Sequence, residues 1–148
     1  MSIQKILVTG ANGQLGWELS QLASAYPNYE LVMVDRSVLD LSKPETINTV
    51  LDTIAPDAII NPAAYTAVDK AETEKELAYT INAKSVELMA AYAAAKQIPF
   101  ISYSTDYVFT GDATSPYKTD TAIAPLNFYG STKADGESLA FAANPNTI

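Results

Sequence analysis

Short apolar runs alternate along the chain with longer segments in which apolar residues recur at helical spacing. The apolar runs lie at residues 5–9, 31–34, 58–60 and 99–103. Helical spacing covers residues 14–25, 42–54, 74–96 and 127–143. Strands that are almost continuously apolar are typical of a parallel sheet covered by helices on both faces. The alternation therefore predicts the α/β fold class, with a doubly wound parallel sheet.

The last residues of the chain have the character of a further strand. Asn144, Pro145 and Asn146 break the last predicted helix, and Thr147 and Ile148 follow as β-branched residues. We therefore expect residues 1–148 to form one Rossmann-type domain, truncated before its fifth strand and continued in a longer protein. A naturally short domain is the alternative.

Charge and composition exclude several classes of function. The 148 residues include 9 Lys and Arg against 17 Asp and Glu, which gives a formal charge of −8. Such a surface repels phosphate backbones and argues against a nucleic-acid partner. Cysteine and histidine are absent, which excludes disulfides, thiolate nucleophiles, Cys/His zinc sites and histidine acid–base chemistry. No signal peptide is visible and no apolar run approaches the ~20 residues that span a bilayer, so we expect a cytoplasmic protein without membrane contacts.

Three glycines, at positions 10, 13 and 16, connect the first strand to the first predicted helix. Gly10 permits a sharp turn, Gly13 lets the backbone approach a pyrophosphate, and Gly16 lets the helix pack closely on the strand. The helix N-terminus then offers unpaired N–H groups to the anion. The spacing is G-x-x-G-x-x-G, which differs from G-x-G-x-x-G, but its position between a strand and a helix predicts a phosphate-binding turn.

An acidic residue, Asp35, ends the second strand, about 20 residues after the last glycine. A carboxylate there accepts hydrogen bonds from the adenosine ribose hydroxyls and disfavours a 2′-phosphate. Arg36 beside it is suited to receive that phosphate instead. The choice between NAD and NADP therefore stays open. Asp40 and Leu41 follow, where the adenine would rest.

Tyr129 and Lys133 lie four residues apart and share one face of the last predicted helix. An ammonium near a phenol favours the phenolate and lowers the pKa of the phenol from its usual value near 10. Such a pair can pass a proton to or from a carbinol or carbonyl oxygen. Ser104 and Thr105 follow the fourth strand at the carboxyl edge of the sheet, where a hydroxyl can hold the substrate oxygen. These residues predict proton transfer without histidine.

Two further segments belong to the predicted site. Small residues dominate the segment 61–66 after the third strand, and they would let a flat cofactor lie against the backbone. Asn82 lies within the long predicted helix. Facing inward, Asn82 would anchor a water molecule near the lysine, and an outward orientation is equally compatible with the sequence.

Four segments together give the chain a resemblance to a known family. They read TGANGQLGWEL from Thr9, AAYTAVDKAE at 63–72, STDYVF at 104–109 and PLNFYGSTKADGE at 125–137. In these segments the chain resembles the N-terminal half of the dTDP-4-dehydrorhamnose reductases, which are extended short-chain dehydrogenases/reductases. The resemblance implies hydride transfer from NADPH or NADH to the C4 keto group of dTDP-4-dehydro-L-rhamnose. The product would be dTDP-L-rhamnose, a precursor of cell-surface polysaccharide.

The resemblance also implies a role for individual residues. Tyr129 would be the proton donor, Lys133 would lower its pKa and bind ribose, and Thr105 would position the carbonyl. Asp106 would be a neighbouring substrate contact. Together with the residues above, the expected cofactor contacts are Gly10, Gly13, Gln14, Leu15 and Gly16 at the pyrophosphate, Asp35 and Arg36 at the ribose, Asp40 and Leu41 at the adenine, and Ala63, Ala64, Tyr65 and Thr66 at its middle.

Some members of this family bind Mg²⁺ at a homodimer interface. Glu18 matches one ligand position, and the partner carboxylates would lie beyond residue 148, so we expect no complete metal site within this chain. The chain departs from the family at Pro62, where a small residue is usual, and at Thr110, where Asp or Pro is common. Pro62 removes a backbone N–H donor at the edge of the site.

Two alternative functions stay open. One is another sugar-nucleotide epimerase or dehydratase of the extended type. The other is a non-catalytic subunit that binds a dinucleotide and regulates a partner enzyme. A regulatory subunit would tolerate loss of the Tyr129 and Lys133 pair, so the presence of both argues against that reading.

Overall fold

The computed structural model describes residues 4–148, and a single parallel sheet lies at its centre. Its strands are β1 (Lys5–Val8), β2 (Glu30–Met33), β3 (Ala58–Asn61) and β4 (Phe100–Ser102), in the order β2-β1-β3-β4. All three pairings are parallel, with Leu7 opposite both Val32 and Ile59. The predicted parallel α/β sheet is therefore confirmed.

Helices connect the strands as the sequence predicts, with differences at their ends. They are α1 (Gln14–Leu22), α2 (Pro44–Ile54), α3 (Val68–Ala71), α4 (Lys75–Tyr79), α5 (Ser85–Lys96) and α6 (Phe128–Ala143). The predicted helix over 74–96 is α4 and α5 joined by a π-helical turn, Thr80–Lys84. A short 3₁₀ turn, Asp106–Val108, follows β4. Within residues 4–148, no helix combines the length and apolar character needed to cross a membrane.

The crossover connections determine which sheet face each helix covers. Parallel β-α-β connections are almost always right-handed. Because β1 to β2 moves toward one edge and β2 to β3 toward the other, α1 and α2 lie on opposite faces. Leu7, Ile59 and Phe100 point to the face covered by α2 and α5, where they meet Ile47 and Met89 in the main core. All of these side chains are fully buried.

The end of the chain already pairs with the sheet. The N–H of Ile148 donates to the carbonyl of Phe100 at 2.9 Å, and the N–H of Ser102 donates to the carbonyl of Ile148 at 2.8 Å. One residue bonded to two residues that flank its partner is the pattern of a parallel ladder. Ile148 therefore pairs with β4 at the edge of the sheet, in the segment where the sequence predicts a further strand.

The common direction of the strands places the candidate site at one edge of the sheet. The carboxyl ends of β1, β2, β3 and β4 all lie at the same edge because the strands are parallel. In open α/β sheets, ligands bind at this edge, at the point where the strand order reverses. Here that point lies between the neighbouring strands β1 and β3. The chain leaves β1 toward β2 on one side of the sheet and leaves β3 toward β4 on the other side.

Candidate active site

The glycine turn after β1 is closed by its own backbone. Gly10 has a φ of +61°, a left-handed conformation that favours glycine, and its carbonyl accepts from the N–H of Gly13 at 2.9 Å. A Cβ on Gly16 would lie 2.2 Å from the carbonyl oxygen of Gly10. Gly16 therefore permits the close approach of α1 to the turn that the sequence predicts.

The N-terminus of α1 opens into a groove. Gly13 caps the helix without a side-chain hydrogen bond, and the first turn carries no acidic residue. The first N–H groups of a helix have no partner within it, so those of Gln14 and Leu15 are available to an anion. The groove has a volume of about 640 Å³. Its lining is Gly10, Gly13, Gln14, Leu15, Pro62, Ala63, Ala64 and Thr66. This cradle fits the pyrophosphate of a dinucleotide.

A second pocket, of about 310 Å³, continues from the first past Gly10. The structure brings the predicted adenosine contacts together in its lining, which consists of Gly10, Asp35, Arg36, Leu39, Asp40, Leu41, Ala63, Ala64, Tyr65, Thr66, Ala67 and Ile81. Apolar side chains on one side and a carboxylate on the other suit an adenine and its ribose. Leu39, which the sequence analysis did not select, lies in the apolar part.

The carboxylate of Asp35 is held in one orientation. It accepts from the N–H and hydroxyl of Ser37 at 2.9 and 2.6 Å, and from the amide of Asn12 at 3.2 Å. These hydrogen bonds, that of the Ser37 hydroxyl first, lower the pKa of Asp35. Arg36 reaches away from Asp35 and pairs with Asp40, with 3.3 Å between Nε and Oδ1. Asp35 is thus an ionised, oriented acceptor.

Buried hydrogen bonds tie the loop after β3 to the glycine turn. The hydroxyl of Thr9 donates to Oδ1 of Asn61 at 2.6 Å and accepts from the N–H of Ala63 at 3.2 Å. Thr9 and Asn61 are both buried. Pro62 has no N–H to donate, and the next N–H along the chain, that of Ala63, donates to Thr9.

The two residues of the predicted acid–base pair are both buried on α6. Tyr129 is 9% exposed and Lys133 is 7% exposed. Nζ of Lys133 donates to the carbonyl of Tyr103 at 2.5 Å, and among the described residues it makes no hydrogen bond to Tyr129. Burial lowers the pKa of Lys133, and the nearby charge of Glu137 partly opposes that effect. Lys133 and Tyr129 are therefore not hydrogen-bonded to each other in this structure. The amine of Lys133 binds instead to the residue that follows β4.

Tyr129 packs in a small cluster beside the loop that follows β3. Its ring lies with Ala71 and Ala78, and Tyr65 packs against the same cluster. Tyr107 meets it edge-on, with ring centroids 5.7 Å apart and an interplanar angle of 78°. Tyr107 was not selected from the sequence, because only its place within the 3₁₀ turn brings it to Tyr129.

The three polar residues after β4 point in different directions. The hydroxyl of Ser104 donates to the carboxylate of Glu137 on α6. Thr105 begins the 3₁₀ turn, where its hydroxyl accepts from the N–H of Tyr107 at 3.3 Å and contacts Oδ1 of Asp106 at 3.3 Å. Of the two candidate hydroxyls, Thr105 is the one in the turn that carries Tyr107 to Tyr129.

Asn82 faces inward, from the middle of the π-helical turn, and is 1% exposed. Its Oδ1 accepts from the N–H of Tyr65 at 2.8 Å, and its Nδ2 donates to the carbonyl of Tyr65 at 3.0 Å. Nδ2 also lies 3.1 Å from the hydroxyl of Thr132, which in turn donates to the carbonyl of Tyr129 at 2.7 Å. One amide thus connects the loop after β3 to α6, the helix that carries Tyr129 and Lys133.

Two glycines let α6 lie against these elements. A Cβ on Gly130 would lie 2.2 Å from the carbonyl oxygen of Tyr107, and a Cβ on Gly136 would lie 2.2 Å from that of Asn82. The close approach fixes the separation between Tyr129 and the turn that carries Thr105.

The part of the chain that the structure describes has no group of three or more acidic side chains that could hold a metal ion. Glu18 lines an open groove beside Trp17 and Gly13. A magnesium site does not fit these residues by themselves.

A family model described as the RmlD substrate binding domain matches residues 4–148. A curated dTDP-4-dehydrorhamnose reductase from Aggregatibacter actinomycetemcomitans is 40% identical over 144 residues, which cover 97% of this chain and 49% of that protein. The crystal structure of a dTDP-4-dehydrorhamnose reductase from Clostridium acetobutylicum superimposes with a TM-score of 0.92 at 40% identity, over 97% of this chain and 51% of that one.

A structure of dTDP-4-dehydrorhamnose reductase from Bacillus anthracis in complex with NADP gives a TM-score of 0.91 at 35% identity, over 99% of this chain and 52% of that one. The chain thus spans about half the length of the relatives it matches. The family match extends over every residue from 4 to 148, so the chain belongs to the RmlD substrate binding domain family.

Proposed function

We propose that the protein is a dTDP-4-dehydrorhamnose reductase, in which hydride passes from NAD(P)H to the C4 keto group of dTDP-4-dehydro-L-rhamnose and gives dTDP-L-rhamnose. The observation that carries the proposal is the position of Tyr65. Tyr65 lines the adenosine pocket and also packs against the cluster of Tyr129. Tyr65 thus contacts both the second pocket and the cluster of Tyr129, which supports one continuous site for the cofactor and the proton donor.

The residues of this chain would hold the dinucleotide at three points. The first N–H groups of α1 would bind the pyrophosphate, and Asp35 would accept from a hydroxyl of the adenosine ribose. Lys133, once it leaves the carbonyl of Tyr103, would bind the hydroxyls of the nicotinamide ribose. When bound, the reduced nicotinamide supplies the hydride.

Tyr129 would supply the proton that completes the reduction. Its hydroxyl would donate to the C4 oxygen of the sugar as negative charge develops there. Thr105 would hold the same oxygen in place, with Asp106 as a neighbouring substrate contact. A positively charged Lys133 near Tyr129 favours the phenolate that this transfer leaves behind.

Both forms of the cofactor are retained in the proposal. The Bacillus anthracis relative was crystallised with NADP. The carboxylate of Asp35 suits a free ribose diol, whereas Arg36 would have to leave Asp40 to meet a 2′-phosphate. Arg36 is largely exposed, and Asp40 would keep Lys43 and the hydroxyl of Ser42 as partners, so that exchange costs little.

Two measurements test the proposal. A fluorescence titration of the 148-residue chain with NADH and NADPH should give saturable binding of at least one of them. In the protein in its full-length form, Tyr129→Phe should abolish most of the reductase activity and leave cofactor affinity nearly unchanged. Absence of saturable binding to a folded sample would refute the cofactor site. Undiminished activity of Tyr129→Phe would remove Tyr129 from its role.

A further inference from the structure

The N-terminus of α6 is bound by a residue far away in the sequence. The N–H of Phe128, the first residue of α6, donates to Oε1 of Glu72 at 2.7 Å. Glu72 immediately follows α3 and belongs to a stretch of mixed charge that reads in the sequence as a solvated helix start. The contact joins two segments that are 56 residues apart.

This contact matters because Tyr129 lies in the first turn of α6. The first N–H groups of a helix have no partner within it, and helix ends fray when those donors are unsatisfied. Oδ1 of Asn127 accepts from the N–H of Gly130 at 2.7 Å, and Glu72 takes the N–H of Phe128. Two of the unpaired donors around Tyr129 are therefore satisfied by side chains. A carboxylate at this end also interacts favourably with the helix dipole.

The segment that carries Glu72 also forms the packing surface of Tyr129. Ala71, directly before Glu72, and Ala78 on α4 are fully buried against the Tyr129 ring. Nζ of Lys75 lies 5.1 Å from the centroid of the Phe128 ring. The α3–α4 corner, residues 71–78, thus contacts the start of α6 through a hydrogen bond, a cation–π contact and two buried alanines.

We propose that Glu72 is a positioning residue for the reductase: by capping α6 from the α3–α4 corner, it holds the first turn in which Tyr129 presents its hydroxyl. The inference rests on the proposed function of Tyr129. Glu72 itself touches neither the dinucleotide groove nor the substrate contacts proposed above. Its loss should therefore affect turnover while leaving cofactor binding unchanged.

Glu72→Gln and Glu72→Ala separate the cap from the charge. Glutamine keeps an oxygen that can accept from the N–H of Phe128, whereas alanine removes it. Glu76→Ala, at an exposed position on α4, is the matched control because it removes the same charge from the same corner. Circular dichroism on each variant establishes that it is folded.

Amide hydrogen exchange of the 148-residue chain tests the cap directly. Glu72→Ala should accelerate exchange at Phe128 by roughly five- to ten-fold, the usual effect of losing a helix cap, whereas Glu72→Gln and Glu76→Ala should stay within about two-fold of the parent. Unchanged exchange in Glu72→Ala would overturn the proposal, whether or not the protein is a reductase.

Steady-state kinetics of the protein in its full-length form test the consequence for Tyr129. Glu72→Ala should lower kcat by roughly five- to ten-fold with the KM for NADPH within about two-fold, and Glu72→Gln should restore kcat. A raised KM with an unchanged kcat, or a Gln variant as slow as the Ala variant, would refute positioning by the cap. Absence of turnover in the parent protein would instead refute the proposed function, and the exchange result would still decide whether Glu72 caps α6.

Discussion

Asn82 connects the loop after β3 to α6, and its replacement should destabilise both elements. In Asn82→Ala the backbone N–H and carbonyl of Tyr65 lose their partners, and the hydroxyl of Thr132 loses a donor. A buried polar group left without a partner costs about 1–3 kcal/mol. With two backbone groups orphaned at a site that is 1% exposed, we expect the free energy of unfolding to fall by about 2–5 kcal/mol.

Urea denaturation of the 148-residue chain measures this loss. Asn146→Ala is the control, because Asn146 is exposed and its truncation should change the free energy of unfolding by less than about 0.5 kcal/mol. Asn82→Asp should not rescue the fold, since it turns an acceptor toward the Tyr65 carbonyl where Nδ2 donates. At urea concentrations where the variant stays folded, its affinity for NADH should also fall, because Tyr65 lines the pocket that we propose for the adenosine.

The reasoning would be refuted by an Asn82→Ala variant that loses less than about 1 kcal/mol and binds NADH normally. That result would mean that Tyr65 finds other partners and that the amide does not connect the two elements. A large loss of stability in Asn146→Ala as well would show that the fold is sensitive to truncation anywhere, so the effect at position 82 would carry no information.

Two further changes give distinct outcomes. Gly16→Ala forces a Cβ to within 2.2 Å of the Gly10 carbonyl oxygen, so a titration should show at least a roughly ten-fold weaker affinity for NADH. Gly111→Ala is the control: its Cβ meets nothing within 4 Å, so the affinity should stay unchanged despite the strain of a φ of +76°. Burial lowers the pKa of Lys133 in the folded protein below 10.5, the ordinary value for a lysine. At pH values between the pKa of the folded state and 10.5, the unfolded chain therefore binds more protons than the folded one. The free energy of unfolding of the parent should therefore rise with pH over that interval relative to that of Lys133→Met. Urea denaturation of both proteins from pH 7 to 10 measures the difference. A difference that stays constant with pH would contradict the burial of a charged amine.

Local signals in the sequence were sufficient for the sheet and for the glycine turn. The apolar runs predict four parallel strands because a strand buried on both faces needs nearly every side chain to be apolar. The turn from Gly10 to Gly16 is closed by contacts within seven residues, so its spacing alone predicts it. The end of α2 at Ile54 also follows from local signals. The start of α2 does not, because Lys43 precedes the helix and the hydroxyl of Ser42 donates to Asp40 and does not cap it.

The arrangement around Tyr129 depended on the tertiary structure, because its contacts join segments that lie far apart in the chain. The π-helical turn inserts one extra residue per turn and rotates the following face of the helix, so periodicity alone left the direction of Asn82 open. The partner of Lys133 is a backbone carbonyl, which every residue possesses and no sequence pattern marks. The cap on α6 comes from Glu72, 56 residues before Phe128, and only packing of the α3–α4 corner against α6 distinguishes Glu72 from the other glutamates nearby. The sequence by itself thus determined the sheet, the glycine turn and the residue types that we propose for proton transfer, while the fold decided which side chains hold them in position.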